Sequence, residues 1–435
     1  MKKIAVIGTG YVGLVSGAGL SEFGHEVHCV DIDDSKIKNL KSGEIPIYEP
    51  GLKSLVTKNI DDNRLFFSSD IEEVINNSDI IFVAVGTPQG KNGRANLNAV
   101  EAVVNTVIDN LNSYKVICTK STVPVGTGKW INDKISEKCS SDCFDYVSNP
   151  EFLREGSAIN DFLYPDRVVI GASSKKAFNE MKEVYRPLFI NKTPIMEVSV
   201  STAEMIKYAS NSFLALKISY INEIANLCEA VGADVHDVAF GMGKDGRISP
   251  KFLHPGPGFG GSCFPKDIEA LKALGDDKDI NMNMISATIK TNKSQKERIF
   301  NKLLKLADDK VEGKKFAVLG LSFKPNTDDI RESPSEFIVA HLLKKKAIIN
   351  AYDPAASENF KEIFPDINYY QNWRDCVKGV DLCIVMTEWN EFRGIDLAEL
   401  KSLIKSPNLL DAKNIFSIEK LKSLDFNYDN IGRNF

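Results

Sequence analysis

Cys263 lies in a glycine-dense segment, Gly256-Pro257-Gly258-Phe259-Gly260-Gly261-Ser262-Cys263-Phe264-Pro265-Lys266-Asp267. A thiolate is a strong nucleophile, and a glycine-rich loop lets a substrate approach it closely. Pro265 is typical of the first turn of a helix, and a helix N-terminus together with Lys266 favours the thiolate. The segment therefore predicts covalent redox chemistry at Cys263. Four other cysteines are typical of small buried hydrophobes: Cys29, Cys118, Cys228 and Cys383.

A glycine-rich dinucleotide fingerprint near the N-terminus indicates a site for the redox cofactor that such chemistry requires. Gly8-Thr9-Gly10-Tyr11-Val12-Gly13 follows the apolar run Ile4-Ala5-Val6-Ile7 and precedes a helix start, which is the context this motif requires. Gly10 lets the backbone approach a pyrophosphate at the helix N-terminus. Asp31 ends the next strand, at the spacing of an acidic residue that binds the adenosine ribose. Because Asp31 repels a 2′-phosphate, NAD is favoured over NADP.

The first part of the chain alternates strands and helices, which predicts an α/β fold. Several strands are continuous β-branched runs, as expected of parallel strands covered on both faces. Loops at carboxyl ends of two strands carry polar side chains, at residues 86–88 and 120–127, where such sheets bind ligands. The predicted strands are residues 3–7, 26–30, 80–85, 116–119, 146–148 and 168–171.

A long helix is predicted in the middle of the chain. Ser201-Thr202-Ala203-Glu204 forms a capping-box pattern ahead of an apolar-periodic run that extends to Ala230 and stops at Gly232. Its apolar residues are too many for one thin seam, so both domains or a partner subunit enclose it. Lys207 and Asn211 lie one turn apart on one face, so both can reach one reacting centre.

A second α/β unit, with strands at residues 315–320, 351–353, 382–386 and 409–411, resembles a nucleotide-binding fold without the glycine fingerprint. Residues 290–313, which precede this unit, are predicted to be an exposed helix and a linker. The first helix of the second α/β unit begins at Ser333-Pro334-Ser335-Glu336. The charged loop before it, which includes Lys324 and Arg331, fits a solvated loop or a site for anionic phosphates equally well.

Composition narrows the function class. The chain has 435 residues, a net charge of −5 and eight cysteines. Such a length predicts two or three domains, the charge argues against a nucleic-acid surface, and no apolar run is long enough to cross a membrane. The cysteines fit reduced thiols in a cytoplasmic protein without a signal peptide. The pair Cys139 and Cys143 lacks the partners of a zinc site, so no metal is expected.

Taken in order, these motifs resemble the UDP-glucose 6-dehydrogenase family of nucleotide-sugar dehydrogenases over nearly the whole chain. The resemblance also uses Asn149-Pro150-Glu151-Phe152-Leu153-Arg154-Glu155-Gly156 and Pro165-Asp166-Arg167. It implies two Rossmann-like parallel-sheet domains joined by the long central helix. The domains are residues 1–200, which bind NAD, residues 201–300, which carry the cysteine loop and the dimer contacts, and residues 301–435, which bind the UDP-sugar.

The activity that the resemblance implies is a four-electron oxidation of UDP-glucose to UDP-glucuronate with two NAD. Cys263 forms a thiohemiacetal with the aldehyde and then a thioester, which water hydrolyses. The product suggests a supply of polysaccharide precursors. A homodimer, or a higher homo-oligomer, is expected, with the central helix as the dimer element.

The resemblance also assigns roles to residues. Lys207 stabilises charge on the reacting oxygen, Asn211 positions sugar or water, and Asp267 supports the proton acceptor. Thr122 and Glu151 hold a water, and the base is Glu151, Asp267 or water. The NAD contacts are Gly8, Gly10, Tyr11, Val12, Gly13, Asp31, Lys36, Thr87, Thr122, Glu155 and Arg331. The substrate contacts are Glu151, Phe152, Leu153, Lys207, Asn211, Arg247, Phe252, Gly260, Phe323 and Lys324, with Arg247 from the same chain or from a neighbouring subunit.

Two positions depart from the family pattern. Asp411-Ala412-Lys413-Asn414 stands where the family usually has Asp-Gly-Arg-Asn, so Lys413 lacks the planar guanidinium fork. His254 stands where other members can carry a lysine.

Three alternatives remain open at this stage. The first is a relative that oxidises GDP-mannose or a UDP-N-acetylhexosamine. The second is a two-electron hydroxyacid dehydrogenase, which has no need of Cys263. The third is an NAD-binding sensor, which needs none of the catalytic set.

Overall fold

A computed structural model describes residues 1–140 and 142–434, which divide into two compact units, Met1–Ser210 and Asn211–Phe435. The division falls within the long central helix. The three-domain division expected from the sequence remains a prediction.

The described residues of the first unit form one sheet of eight strands, in the order β3-β2-β1-β4-β5-β6-β7-β8. All neighbours are parallel except β6 and β7, which are antiparallel, so the sheet is predominantly parallel, in agreement with the predicted α/β fold. The strands are β1 (Lys3–Ile7), β2 (Glu26–Val30), β3 (Leu65–Ser68), β4 (Ile80–Val83), β5 (Lys115–Thr119), β6 (Phe144–Ser148), β7 (Val168–Ala172) and β8 (Ile195–Val198).

Helices cover both faces of this sheet. Along β1, Ile4 and Val6 belong to one buried cluster, whereas Ala5 and Ile7 belong to another, because successive side chains point to opposite faces. The continuous apolar runs of the sequence are therefore explained. The helices are α1 (Tyr11–Glu22), α2 (Asp34–Lys41), α3 (Leu52–Asp61), α4 (Ile71–Asn77), α5 (Asn98–Asp109), α6 (Thr127–Ser136), α7 (Ala158–Leu163) and α8 (Lys175–Val184), with short 3₁₀ helices at Lys91–Gly93 and Arg186–Asn191.

The second unit contains a parallel sheet in the order β11-β10-β9-β12-β13-β14. In both sheets the order reverses beside the first strand, between β1 and β4 and between β9 and β12, and ligands bind at such a switch point. The strands are β9 (Lys315–Leu319), β10 (Ile348–Tyr352), β11 (Asn368–Tyr369), β12 (Leu382–Val385), β13 (Asn408–Asp411) and β14 (Asn427–Asp429).

The long helix α9 (Val200–Val231) matches the predicted element, but its cap does not. Ser199 Oγ accepts a hydrogen bond from the Thr202 N–H at 3.3 Å, so the cap is Ser199 rather than Ser201. Glu204 accepts instead from the main-chain N–H groups of Gly126 and Gly128, each at 2.7 Å. The capping-box interpretation is therefore wrong, because Glu204 binds the start of a different helix.

The remaining helices belong to the second unit. Helix α12 (Asn283–Leu306) was expected to be exposed, but its Ile299, Phe300 and Leu303 are buried in that unit's core, because one face of this charged helix is apolar. No helix of the described chain is long and apolar enough to cross a membrane. The helices are α10 (Val235–Gly243), α11 (Phe264–Asp276), α12 (Asn283–Leu306), α13 (Pro334–Lys344), α14 (Ser357–Ile363), α15 (Trp373–Val377), α16 (Asn390–Arg393), α17 (Leu397–Leu403) and α18 (Ile418–Ser423).

Candidate active site

The glycine fingerprint forms the turn between β1 and α1. A Cβ on Gly13 would lie 1.9 Å from the main-chain oxygen of Gly8, so packing of the protein itself demands glycine at that position. A Cβ on Gly10 would meet nothing within 4 Å. Protein packing therefore does not explain the glycine at position 10, whereas close approach of a pyrophosphate to the N-terminus of α1 does. The turn fits a dinucleotide.

Asp31 follows β2 and lies beside this turn. Its Oδ2 accepts hydrogen bonds from the Thr9 N–H at 2.9 Å, the Thr9 hydroxyl at 2.6 Å and Lys36 Nζ at 3.0 Å. Burial opposes ionisation, but these donors hold the pKa of Asp31 at about 2. The structure thus brings together Asp31 and Lys36, two of the predicted cofactor contacts, and keeps Asp31 anionic.

Tyr11, at the start of α1, donates its hydroxyl proton to the carboxylate of Glu49. The same carboxylate accepts the N–H groups of Gly156 at 2.6 Å and Ala158 at 2.7 Å. Burial and Glu49 raise the pKa of Tyr11 far above its ordinary value. Glu49 therefore ties the fingerprint to the segment that follows Glu155. Sequence reasoning missed Glu49, since its partners lie 38, 107 and 109 residues away and no local motif marks it.

The two polar loops predicted at strand ends lie together. Thr87 follows β4 and donates its hydroxyl proton to the main-chain oxygen of Thr122, which follows β5, at 2.8 Å. The strands β4 and β5 are paired neighbours, so their loops emerge at one edge of the sheet. Both loops therefore lie at carboxyl ends of neighbouring strands, as predicted, where open α/β sheets bind their ligands.

Glu151 and Lys207 form a buried pair, with side chains 5% and 4% exposed. Lys207 Nζ donates to Glu151 Oε1 at 2.9 Å and to the Glu151 main-chain oxygen at 2.7 Å. Glu151 Oε2 accepts the Leu153 N–H at 2.5 Å. Burial raises the pKa of Glu151, but Lys207 and the hydrogen bonds outweigh it, so the pKa lies below its ordinary value. Glu151 is therefore a carboxylate at neutral pH.

Phe152 lies next to this pair. The Arg167 guanidinium carbon is 3.5 Å from the centroid of the Phe152 ring, and Lys207 Nζ is 5.4 Å from it. Leu153 packs against the core of the first unit. Half-buried Glu155 is close enough to Tyr11 to raise the pKa of its hydroxyl. The predicted substrate contacts Phe152 and Leu153 are thus adjacent to the ion pair.

In the second unit, Cys263 occupies the N-cap position of α11, with Pro265 in the first turn as predicted. Its side chain is partly exposed and forms no disulfide. The N-terminus of a helix stabilises negative charge, which favours the thiolate of a cysteine placed there. This arrangement suits a nucleophile.

Asp267 lies one turn into α11 and is fully buried. Its Oδ2 accepts from Asn211 Nδ2 at 2.7 Å, and its Oδ1 lies 2.5 Å from Lys266 Nζ. Helix α9 carries Asn211 one turn after Lys207. Asp267 therefore contacts both Asn211 and Lys266, and the sequence analysis singled out all three residues.

The cysteine loop is held by backbone contacts to the loop before α13. A Cβ on Gly260 would lie 2.4 Å from the Glu332 main-chain oxygen. The Gly261 N–H donates to the Arg331 main-chain oxygen at 2.7 Å, and a Cβ on Gly261 would meet the Phe323 ring at 2.8 Å. Glycine is required at both positions, and the predicted residues Gly260, Phe323 and Arg331 come together.

Three amides that sequence reasoning missed anchor the same loop. Asn292 on α12 accepts the Phe259 N–H at 2.8 Å and donates to the Phe259 oxygen at 3.1 Å. Asn222 on α9 accepts the Gly256 N–H at 2.8 Å, and Gln295 donates to the Gly256 oxygen at 2.9 Å. These bonds fix the path of the loop that ends at Cys263.

Three further predicted contacts, Arg247, Phe252 and Lys324, also belong to the second unit. Arg247 is 89% exposed and pairs with Asp245. The Phe252 ring lies 6.2 Å from the Phe264 ring, and Lys324 Nζ lies 5.5 Å from the ring of its neighbour Phe323.

The two positions that depart from the family pattern differ in their surroundings. Lys413 forms an ion pair with Glu388 at 2.9 Å, and His254 is exposed. Among the described residues, no group of three or more His, Cys, Asp or Glu is placed to hold a metal ion.

Comparisons with known proteins cover the whole chain. Three domain models of the UDP-glucose/GDP-mannose dehydrogenase family match it in order: the NAD binding domain at residues 2–189, the central domain at 201–294 and the UDP binding domain at 317–418. UDP-glucose 6-dehydrogenase TuaD of Bacillus subtilis (strain 168) is 49% identical, over 100% of this chain and 94% of the relative.

Two further comparisons agree. UDP-glucose 6-dehydrogenase of Rhizobium meliloti (strain 1021) is 47% identical over 99% of each chain. The structure of a UDP-glucose dehydrogenase from the hyperthermophilic archaeon Pyrobaculum islandicum superposes with a TM-score of 0.92 at 34% identity, over 100% of this chain and 98% of that one. The similarity therefore extends to sequence, domain order and fold.

Proposed function

The chain belongs to the UDP-glucose/GDP-mannose dehydrogenase family, and from that premise we propose that it oxidises UDP-glucose to UDP-glucuronate with NAD. Each turnover converts the C6 alcohol to a carboxylate and consumes one water. When bound, NAD supplies the hydride acceptor for each of the two oxidations. The fingerprint turn and Asp31 hold this cofactor, and the carboxylate of Asp31 selects against a 2′-phosphate.

The position of Cys263 at the N-terminus of α11 is the observation that carries this proposal. The alcohol first loses a proton and a hydride to give an aldehyde. The Cys263 thiolate then adds to the aldehyde carbon, and the oxygen takes a proton to give a thiohemiacetal. Loss of a second hydride and of the hydroxyl proton leaves a thioester, which water cleaves to the acid and the free thiol. An alcohol dehydrogenase that stops at the aldehyde has no use for this residue.

Residues of the first unit stabilise the charge on the reacting oxygen and position a water. Lys207 stabilises the negative charge that develops on the reacting oxygen, as a buried ammonium does effectively. Thr122 and Glu151 hold a water, and the ionised Glu151 is the candidate base for thioester hydrolysis. Thr87, Lys36, Glu155 and Arg331 contact NAD, with Tyr11 and Val12 of the fingerprint.

The second unit supplies the nucleophile and its supports. Asp267 supports proton transfer through its bonds to Asn211 and Lys266, and Asn211 positions the sugar or a water.

Other residues contact the nucleotide sugar: Phe152, Leu153, Arg247, Phe252, Gly260, Phe323 and Lys324. In this division of labour, residues 1–200 bind NAD, residues 201–300 carry the cysteine, and residues 301–435 bind the UDP-sugar.

We also propose a homodimer formed through α9. Besides Met205 at 39%, four large apolar or aromatic side chains on this helix are exposed: Phe213 at 60%, Tyr220 at 46%, Leu227 at 57% and Val231 at 67%. Their spacing of seven, seven and four residues places them along one stripe of the helix, as in a helix that packs against another subunit. None of the eight cysteines, all of them in the described part of the chain, forms a disulfide, which fits the reducing cytoplasm as the location of the enzyme.

The test is the ratio of NADH formed to UDP-glucose consumed by the purified protein, run to completion with excess NAD. The proposal expects two NADH per UDP-glucose. A ratio of one means that the aldehyde is released, and turnover of GDP-mannose or of a UDP-N-acetylhexosamine in parallel reactions assigns another substrate. No NADH with any of these sugars rejects the oxidoreductase proposal.

A further inference from the structure

Lys120 is a buried charged residue for which the mechanism above has no role. It follows β5 and is 5% exposed. Nζ donates to Asn149 Oδ1 at 3.0 Å and to the Tyr185 hydroxyl at 3.1 Å, and it lies 5.6 Å from the Tyr185 ring centroid. No carboxylate of the described residues forms an ion pair with it. An ammonium group buried without an ion pair is costly, and such a cost is commonly retained for function.

The partners of Lys120 fix the segment that leads to Glu151. Asn149 Oδ1 also accepts the Tyr185 hydroxyl at 2.6 Å, and Asn149 Nδ2 donates to the Val169 main-chain oxygen at 2.7 Å. The Asn149 N–H donates to the Thr119 main-chain oxygen at 2.9 Å. The Asn149 amide group is thus held on both sides, two residues before Glu151.

Two buried ammonium groups therefore hold residues 149–151 from opposite ends, Lys120 through Asn149 and Lys207 through Glu151. The positive charge of Lys120 also lowers the pKa of Glu151, in addition to the larger effect of Lys207. The titratable groups that face Lys120 are Cys118 on β5, Glu151 after β6, Lys207 on α9 and Tyr185 after α8. Burial lowers the pKa of Lys120 to about 8, so the group remains largely charged at pH 7.

We propose that Lys120 is a positioning residue for the oxidation: it orients residues 149–151 through Asn149 and places a second positive charge in the field of the Glu151 carboxylate. This inference rests on the proposed function, in which Glu151 holds the water for hydrolysis. Lys120 does not touch substrate in this scheme. Its effect is exerted on the geometry and ionisation of Glu151.

The chain offers a matched control in Lys115, at the other end of β5. Lys115 is 1% exposed, and its Nζ donates to the main-chain oxygens of Ser78 at 2.7 Å and Asn76 at 3.2 Å. Lys115→Met and Lys120→Met each remove one buried ammonium, the first at the start of β5 and the second directly after its end. Only the second removes a charge that lowers the pKa of Glu151.

The experiment combines two readouts on the full-length protein. In the first, ¹³C-glutamate NMR gives the titration midpoint of Glu151, assigned with Glu151→Gln, without any need for turnover. In the second, kcat and KM for UDP-glucose are measured across pH. Lys120→Met should raise the Glu151 midpoint and reduce kcat about tenfold to a hundredfold, the scale of a small misplacement of a reacting group. Lys115→Met should leave both unchanged.

Lys120→Gln separates the two effects, because it keeps a donor for Asn149 without the charge, and it replaces Lys120→Met if that variant does not fold. It should raise the Glu151 midpoint with a smaller loss of kcat. The proposal is overturned if, in both Lys120 variants, either the Glu151 midpoint or kcat equals that of the Lys115→Met control. If the wild type oxidises no nucleotide sugar, the proposed function fails, while the NMR midpoint still decides whether Lys120 controls the ionisation of Glu151.

Discussion

Lys207 contacts Glu151 twice, through the carboxylate at 2.9 Å and through the main-chain oxygen at 2.7 Å. One ammonium group therefore sets both the charge of Glu151 and the path of its backbone. A buried pair of this kind is costly to break from one side, since the partner is left as an uncompensated buried charge.

Lys207→Met should accordingly destabilise the protein by about 3–5 kcal/mol at neutral pH, the range for a broken buried pair. In the wild type the depressed pKa of Glu151 adds stability above the ordinary glutamate pKa, and this is lost as pH falls through the lower folded value. In the variant the sign reverses, because the unpaired carboxylate has a raised pKa and its protonation at low pH favours the folded state.

Urea unfolding at pH 7.5 and pH 5.5 measures this reversal. The double variant Lys207→Met with Glu151→Gln is the control, since it has no carboxylate to protonate. The single variant should be much less stable than the double variant at pH 7.5 and should approach it at pH 5.5. Equal differences at the two pH values would show that the pair has no electrostatic role.

Cys263→Ser should abolish formation of the second NADH. Serine is a good N-cap residue, so the fold of α11 is retained, but its hydroxyl is a far weaker nucleophile than a thiolate. We expect kcat for acid formation to fall by several orders of magnitude, as when a nucleophile is removed from other enzymes. Total NADH and UDP-glucuronate, followed to completion, measure the effect.

Cys143→Ser is the matched control, because Cys143 is also a partly exposed cysteine outside any disulfide and lies in the first unit. It should keep the full ratio of NADH to sugar. Two NADH per sugar in Cys263→Ser would refute the thioester route and support an enzyme of another class.

Local signals in the sequence were sufficient for the elements that carry chemistry. The fingerprint turn, the N-terminus of α11 at Cys263 and the one-turn spacing of Lys207 and Asn211 depend on neighbouring residues, and the structure has all three. The helix start at Ser333 is also confirmed, since its hydroxyl caps the Ser335 N–H at 3.3 Å. Glycine, proline and cap residues determine the backbone conformation of only a few neighbouring positions, so a short segment of sequence is enough to predict their effect.

The features that were missed depend on distant partners or on weak patterns. Strands β3 and β8 are half-buried edge strands, and β11 and β14 have only two and three residues, so none has the continuous apolar run of about four or more residues that indicates a buried strand. Glu49, Asn292 and Lys120 act through partners that the fold brings near, which no local spacing reveals. The misassigned cap at Glu204 has the same cause, because a glutamate three residues after a serine fits two different partners.

Gly260→Ala tests whether the loop before Cys263 needs its backbone contact. The new Cβ would lie 2.4 Å from the Glu332 oxygen, which is backbone and cannot rotate away, so the loop must shift. We expect a loss of about 1–3 kcal/mol in the free energy of unfolding, typical of overpacking, and a reduced kcat. Thermal unfolding and initial rates with UDP-glucose measure the two effects.

Gly241→Ala is the control for that substitution. A Cβ on Gly241 would meet nothing within 4 Å, and the residue lies within α10, where alanine is favoured over glycine. It should leave kcat unchanged and stability equal or slightly higher. A Gly260→Ala enzyme with the same kcat as Gly241→Ala would mean that the loop tolerates displacement.

Leu227→Glu tests the exposed stripe on α9 as the dimer contact. Leu227 is 57% exposed, so a glutamate there costs the separated chain little, whereas a dimer that buries the stripe would have to bury an unpaired carboxylate on each side of its two-fold axis. We expect a monomer by sedimentation at concentrations where the wild type is dimeric, with the thermal stability of the single chain retained. Ser294→Glu, an exposed position on α12 with the same change of charge, should stay dimeric.

If Arg247 serves the neighbouring subunit, the Leu227→Glu monomer should also lose UDP-glucose oxidation while it still binds NADH, because the fingerprint and Asp31 belong to one chain. A monomer with full activity would confine the whole site to one subunit, and an intact dimer would place the contact on another surface.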